Sequence, residues 1–215
     1  MKERITKVEL VRMFAEAAKM IRDQSSHLSQ LDSQCGDGDH GTTMTRAMEI
    51  LEGAIGPSNE LGMSEMFKQA GWSVMGVDGG ASSALLGSFI SGMGDTQLDG
   101  DLDCATLASS LEAGLRALSN WTKARPGDKT MMDALIPAVE AFRSAAEEGK
   151  SPSIAMDTAA AAAEAGAEST KNLIARYGRA KYLGEKTLGC PDAGATSTAL
   201  LFRGFSVALA TEKEN

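Results

Sequence analysis

Apolar residues recur along this chain at intervals of three and four, with polar positions between them. Leu10, Phe14, Ala17, Ala18 and Ile21 form one such stripe behind Thr6 and Glu9, which have the spacing of a capping box. Met44, Ala47, Met48, Leu51 and Ile55 form a second, stopped at Gly56-Pro57. Phe67, Ala70 and Val74 mark a short third helix, and Ala81 to Ile90 a fourth, entered through Gly79-Gly80. Leu107, Leu111, Leu115 and Leu118 make a fifth, with Asp103 as its N-cap. Met132, Leu135, Val139 and Phe142 make a sixth, where Pro137 should kink the helix or sit near its start. Ser151-Pro152 opens a seventh through the run Ala159 to Ala163, with Pro at the first helical position. A last stripe runs from Ala195 through Leu200 and Phe205 to Leu209. Sustained alternation rich in Val, Ile and Thr is missing, so the pattern predicts helices and no strands. Residues 1–215 read as one all-α domain of about eight helices.

Composition agrees and narrows the partners. The 215 residues are 43% hydrophobic and 5% aromatic, as suits a helical core. A chain of roughly 200 residues buries about 70% of its unfolded surface, enough for a core without staples. The net charge of −8 disfavours nucleic acid and anionic membrane, since both need a positive face. Cys35, Cys104 and Cys190 are an odd count without CxxC spacing, which predicts free thiols and a cytoplasmic location. Met1-Lys2-Glu3-Arg4-Ile5 lacks the apolar segment of a signal peptide, and the apolar runs fall short of the ~20 residues of a membrane span.

The candidate chemistry lies in four Gly/Asp-rich segments that each end at a helix start. In Leu31 to Gly41, the carboxylates of Asp32, Asp37 and Asp39 are crowded beside three glycines. Like charges so close need a cation, and hard oxygen ligands in this number suit Mg²⁺ or Ca²⁺ rather than Zn²⁺. An EF-hand is excluded, because counting from Asp37 puts Met48 where the bidentate Glu belongs. A solvated turn with Asp39 as an N-cap would explain one Asp-Gly pair, but not all three acids. His40, Gly41, Thr42 and Thr43 follow at a helix start, where free backbone N–H groups and Thr hydroxyls make an anion site.

Asp78-Gly79-Gly80-Ala81-Ser82-Ser83 repeats that design. By itself it also reads as an ordinary Gly-rich turn with a Ser cap. The third segment, Thr122 to Met131, contains Pro126-Gly127-Asp128, a turn leading to an N-cap at Asp128. Its basic residues could add phosphate contacts, and Met131 could pack on a flat ring. In the fourth, Arg179 and Lys181 suit either a solvated basic turn or an Arg facing a transferred phosphoryl group, and Asp192 to Ser197 opens the last helix. Two helix starts and a carboxylate cluster are what Mg-polyphosphate binding requires.

Taken in order, Asp32, Gly36-Asp37-Gly38-Asp39-His40-Gly41, Gly79-Gly80-Ala81-Ser82, Pro126-Gly127-Asp128-Lys129-Thr130-Met131, Gly178-Arg179-Ala180, Tyr182-Leu183-Gly184-Glu185 and Asp192-Ala193-Gly194-Ala195-Thr196-Ser197 resemble the nucleotide-binding L subunit of dihydroxyacetone kinases, which is also the C-terminal domain of single-chain versions. The resemblance covers essentially the whole chain. It implies an eight-helix antiparallel barrel with the nucleotide at one rim, and two Mg²⁺ ions held by the counterparts of Asp32, Asp37 and Asp39. It also implies that ADP or ATP contacts the regions of His40, Gly41, Thr42, Thr43, Gly80, Ala81, Ser82, Thr122, Thr130, Met131, Arg179, Asp192, Ala193 and Gly194, with Arg179 in the catalytic role.

Ala193 stands where the family usually has Pro, and Thr43 where some members have Asn. Neither change removes a carboxylate. The ketose, dihydroxyacetone or a relative such as erythrulose, would sit covalently on a His of a separate K subunit. In some members a phosphotransferase-system protein re-phosphorylates bound ADP, whereas in others ATP exchanges. A homodimer, and a non-catalytic nucleotide-binding module docked on a regulator, are the other roles compatible with such a chain.

Overall fold

The computed structural model describes residues 3–56, 60–78 and 80–210. Pro57 of the second helix stop, Gly79 of the second turn, and Met1 and Lys2 lie outside the described residues. Nine α-helices account for most of it: α1 (Lys7–Asp23), α2 (Ser25–Ser33), α3 (His40–Ile55), α4 (Met63–Met75), α5 (Ala81–Met93), α6 (Cys104–Ser119), α7 (Met132–Glu147), α8 (Pro152–Ser169) and α9 (Ala193–Ala210). Three of the expected starts are built as read. Thr6 and Glu9 bond reciprocally at α1, with Glu9 N–H donating to Thr6 Oγ1 (3.3 Å) and Thr6 N–H to the Glu9 carboxylate (2.8 Å). Asp103 accepts from Thr106 N–H (2.8 Å) at α6, and Ser151 precedes Pro152 at α8.

Two features differ from the sequence expectation. Helix α2 carries only Leu28 and Leu31 as buried residues among Ser, Gln and His, too few to write a legible stripe. A two-residue antiparallel pairing, β1 (Arg4–Ile5) with β2 (Leu102–Asp103), is too short to show alternation. Pro137 lies inside α7, six residues in. It has no N–H for the carbonyl of Asp133, and Gly166 of α8 packs against that same carbonyl.

Eight helices close into a ring. α1 packs on α3, each of α3 to α8 on its successor, and α9 returns to α1, while α2 sits outside against α3 and α9. Neighbours run antiparallel. Gly71 of α4 lies against Ser91 of α5, and Met75 against Gly87. One continuous core runs from Ile5 to Ala208. Phe14 is at its centre, edge-on to Phe205 (centroids 4.8 Å apart) and Phe67 (5.8 Å). The Ala-rich run is a packing face, because Ala155, Ala159, Ala160 and Ala163 are fully buried where α8 meets α7 and α9.

α9 is 18 residues long and apolar enough to cross a membrane by length and composition alone, but its apolar surface is spent on the ring, where most of it is buried. The closing contact is tight. A Cβ at Gly204 would overlap the backbone of Ala17 on α1. Gly204→Ala should therefore force α9 away from α1 and destabilise the fold by about 1–3 kcal/mol, read as a lower urea midpoint with unchanged slope.

Candidate functional site

Alternation around the ring brings the α2–α3, α4–α5, α6–α7 and α8–α9 connections to one end. There they line a cleft of about 330 Å³, within the range of small-molecule sites. The opposite end is tied separately, by Lys7 Nζ donating to Leu61 O (2.7 Å) and Ser64 Oγ to Thr96 O (2.9 Å).

The acidic wall is organised by Asp32, in the last turn of α2. Its Oδ2 accepts N–H bonds from Gly38 (2.8 Å) and Asp39 (3.1 Å), folding the loop back over the helix end. A Cβ at Gly36 would overlap Asp32 Oδ1, so a side chain there would have to displace the carboxylate that holds the loop. Carboxylate oxygens of Asp32, Asp37 and Asp39 consequently lie within 4.8 Å of one another. Asp39 occupies the N-cap position of α3 but makes no side-chain cap bond, so capping does not explain its carboxylate. Withdrawal from water, reinforced by the charges of Asp37 and Asp32, raises its pKa. Asp37 is ion-paired with the exposed Arg179, and this hydrogen bond lowers its pKa. Three carboxylates thus share one guanidinium.

Helix starts supply the floor. His40, the first residue of α3, is buried. Its Nε2 is 2.9 Å from Ser197 Oγ on α9. Ser197 Oγ also bonds Gly194 O (3.0 Å), and the His40 ring bonds the Ala193 backbone as well. Burial lowers the His40 pKa, so a neutral imidazole links the starts of α3 and α9. At α5, Gly80 has φ 78° and ψ −159°, a conformation restricted to glycine, and precedes Ala81. Ser83 is buried and donates to Val77 O (2.9 Å), which leaves Ser82 as the serine on the cleft.

The remaining walls come from two tethered loops. Asp128 does not cap α7, which begins at Met132. Its Oδ2 accepts from Arg125 N–H (2.9 Å), closing the turn backwards. Asp133 does the work at the helix entry, accepting from Gly127 N–H (2.6 Å) and Thr130 N–H (2.8 Å). Asp192 accepts from Ala195 N–H (2.8 Å) at the start of α9, and its own N–H donates to Thr170 Oγ1 (2.8 Å). Burial raises the Asp192 pKa to about 6.

Of the residues expected at the site, Asp32, Asp37, Asp39, His40, Gly80, Ala81, Ser82, Thr122, Thr130, Met131, Arg179, Asp192, Ala193 and Gly194 all line this cleft. Gly41, Thr42 and Thr43 do not. Gly41 is packed against Ser25 and Ser29 of α2, Thr43 is buried and Thr42 faces solvent. Their position contributes backbone instead, since the first N–H groups of α3 have no intrahelical acceptor. The cleft also includes Cys35, Leu85, Lys129 and Tyr177, which were not singled out as site residues. Lys129 was legible only as one of several basic residues in its turn. The structure buries it.

Residues 34–207 match the DAK2 domain model. The chain belongs to the DAK2 domain family. This DAK2 domain is 32% identical over 205 residues to the ADP-binding subunit DhaL of the PEP-dependent dihydroxyacetone kinase of Escherichia coli K12, covering 95% of this chain and 98% of that one. It is 36% identical over 182 residues to the corresponding subunit of a PTS-dependent kinase of Lactococcus lactis, covering 85% and 87%. The crystal structure of the dihydroxyacetone kinase from C. freundii in complex with AMP-PNP and Mg²⁺ superposes with a TM-score of 0.72 at 26% identity, covering 96% of this chain and 35% of that longer one.

The raised pKa of Asp192 makes a pH prediction for the ligand-free DAK2 domain. An acid that holds its proton more tightly when folded stabilises the fold below its unfolded pKa near 3.9, and that contribution is lost as pH rises through about 6. Asp192→Asn keeps an acceptor for Ala195 N–H but cannot titrate. Its unfolding free energy should fall less than the parent's between pH 4 and pH 7, the difference being on the order of 2 kcal/mol, read from urea titrations at each pH. Parallel pH profiles would contradict the assignment.

Proposed function

We propose that this DAK2 domain, residues 1–215, is the nucleotide-binding subunit of a kinase that phosphorylates dihydroxyacetone or a related small ketose held on a separate K subunit. The observation that carries this reading is the carboxylate cluster of Asp32, Asp37 and Asp39 at the mouth of a cleft that also holds Arg179 and two helix starts. The donor set fits Mg²⁺: it is all oxygen, it is crowded beyond what one guanidinium balances, and the Asp39 carboxylate has no capping duty. Asp32, Asp37 and Asp39 would hold two such ions. Their contribution when bound is neutralisation of charge on neighbouring phosphates.

The chain's own residues supply the rest. N–H groups at the starts of α3 and α5 bind phosphate oxygens, with Ser82 adding a hydroxyl. Met131, Thr122, Thr130 and the Asp192-Ala193-Gly194 turn form walls for the nucleoside. Arg179 turns from Asp37 toward the transferred phosphoryl group, where a guanidinium stabilises developing charge. The sequence contains two His residues. His40 lines the cleft but is buried and bonded to Ser197, and His27 is on the exposed side of α2 away from the cleft lining. That supports an acceptor delivered by another subunit. The PEP- and PTS-dependent names of the Escherichia coli and Lactococcus lactis relatives fit bound ADP recharged by a phosphotransferase-system protein, while the erythrulose kinases of Mycolicibacterium smegmatis leave exchange of ATP open; the cytoplasmic location expected from the sequence goes with either route.

Binding of ADP should require Mg²⁺, and Asp37→Ala and Asp39→Ala should each weaken it at least tenfold in titration calorimetry. If both variants bind Mg-ADP as well as the parent, the carboxylate assignment fails. Mixing the chain with a cognate K subunit and dihydroxyacetone, with either ATP or a phosphorylated phosphotransferase protein, should yield sugar phosphate with one donor. No product with either would instead favour a nucleotide-sensing module that docks on a regulator.

A further inference from the structure

Lys129 is the single non-glycine residue with positive φ (59°) among the described residues. It is also buried, although it lies in a surface turn and carries a charge. Side chains disfavour this backbone conformation, which persists only where its surroundings over-determine it. Here Asp133 does so from both sides, holding Gly127 N–H and Thr130 N–H around the Lys129 position. The consequence is an inward-pointing ammonium. Lys129 Nζ donates to Thr170 O (2.6 Å) and Cys190 O (2.5 Å).

These two acceptors lie at the opposite ends of the α8–α9 connection. Between them the chain leaves the body of the ring, carries Arg179 at its outer part, and returns to Asp192 at the start of α9. The other ties from this loop to the α6–α7 turn are Arg176 N–H donating to Asp128 O (3.1 Å) and the Arg176–Asp128 ion pair (3.3 Å), whose Arg side chain is exposed. A buried ammonium needs acceptors, and two main-chain carbonyls pinned together by one cation form a firmer tie than an exposed ion pair.

We propose that Lys129 is a positioning residue. Its ammonium clamps the two ends of the 170–192 loop to the α6–α7 turn, and thereby sets where Arg179 and Asp192 stand over the cleft. The clamp rests on geometry alone. Its effect on phosphoryl transfer rests on the function proposed above.

Hydrogen–deuterium exchange of the full chain, free of metal and nucleotide, tests the clamp directly. In Lys129→Met, amides of residues 170–192 should exchange at least fivefold faster, while those of α1, α3, α4 and α5 stay within twofold of the parent. Lys129→Gly removes the same ammonium and relieves the positive φ, so it should show the same local acceleration with less risk to folding. Unchanged exchange in 170–192, or equal acceleration throughout the chain in both variants, would overturn the clamp.

In the reconstituted kinase, Lys129→Met should lower turnover at least tenfold, because Arg179 acts on the transferred group, and should raise the nucleotide KM by a smaller factor, through displacement of the Asp192 turn. A local acceleration without loss of turnover would overturn the positioning role. If the parent itself fails to bind Mg-ADP, the functional reading falls while the exchange result still decides the clamp.

Discussion

Ring closure is the constraint on which the rest depends. Each of the eight ring helices must bury a stripe against two neighbours, and the last has to meet the first. The α1–α9 contact, with Gly204 against Ala17, fulfils that condition. Once successive helices alternate in direction, their connections are sorted between two ends. Segments around positions 35, 80, 125 and 180, far apart in sequence, meet at one rim without any strand or disulfide to bring them there. The polar material that the core cannot accept is left on these connections, so the fold collects its glycines, acids and basic turns in one place.

Much of this was legible because the governing signals are local. Three capped helix starts, the Ala-rich face of α8 and the apolar stripes each follow from residues within a turn or two of one another. The candidate site was legible for a related reason: carboxylates at positions 32, 37 and 39 cannot avoid each other across a short loop. What escaped the sequence depends on distant partners. Helix α2 has two apolar anchors and holds its place by packing on α3 and α9. Asp128 looked like a helix cap but closes its own turn, because Asp133, one turn into α7, takes the exposed N–H groups instead.

Gly41 and Lys129 show the same limit within the site. Next to His40, Gly41 reads as part of an anion-binding turn, yet its lack of a side chain serves the approach of α2. Lys129 reads as one of the basic residues that could add phosphate contacts, yet its acceptors are carbonyls 41 and 61 residues away. A residue type and its neighbours indicate which chemistry is available. The long-range fold decides whether that chemistry faces a ligand or the protein.

The charge distribution follows from this sorting. The chain carries a net charge of −8, yet eight of its 21 Lys and Arg stand in segments 120–131 and 170–192, against three acids. Across the cleft from them, residues 32–39 present three carboxylates, Asp32 from the last turn of α2 and Asp37 and Asp39 from the loop that follows, with no Lys or Arg among them. Of those eight cations, Lys129 and Arg179 line the cleft, and the Lys129 ammonium is held on main-chain carbonyls, so the acidic wall faces the Arg179 guanidinium and is joined to it by the Arg179–Asp37 pair. Neither a bare cation nor a bare anion satisfies both sides. A divalent metal carried on a polyphosphate does, since it presents positive charge to the carboxylates and negative charge to the guanidinium and the helix starts. An overall negative charge is thus compatible with a polyanionic ligand, provided the acids and bases are held on opposite walls, as closure of the ring ensures.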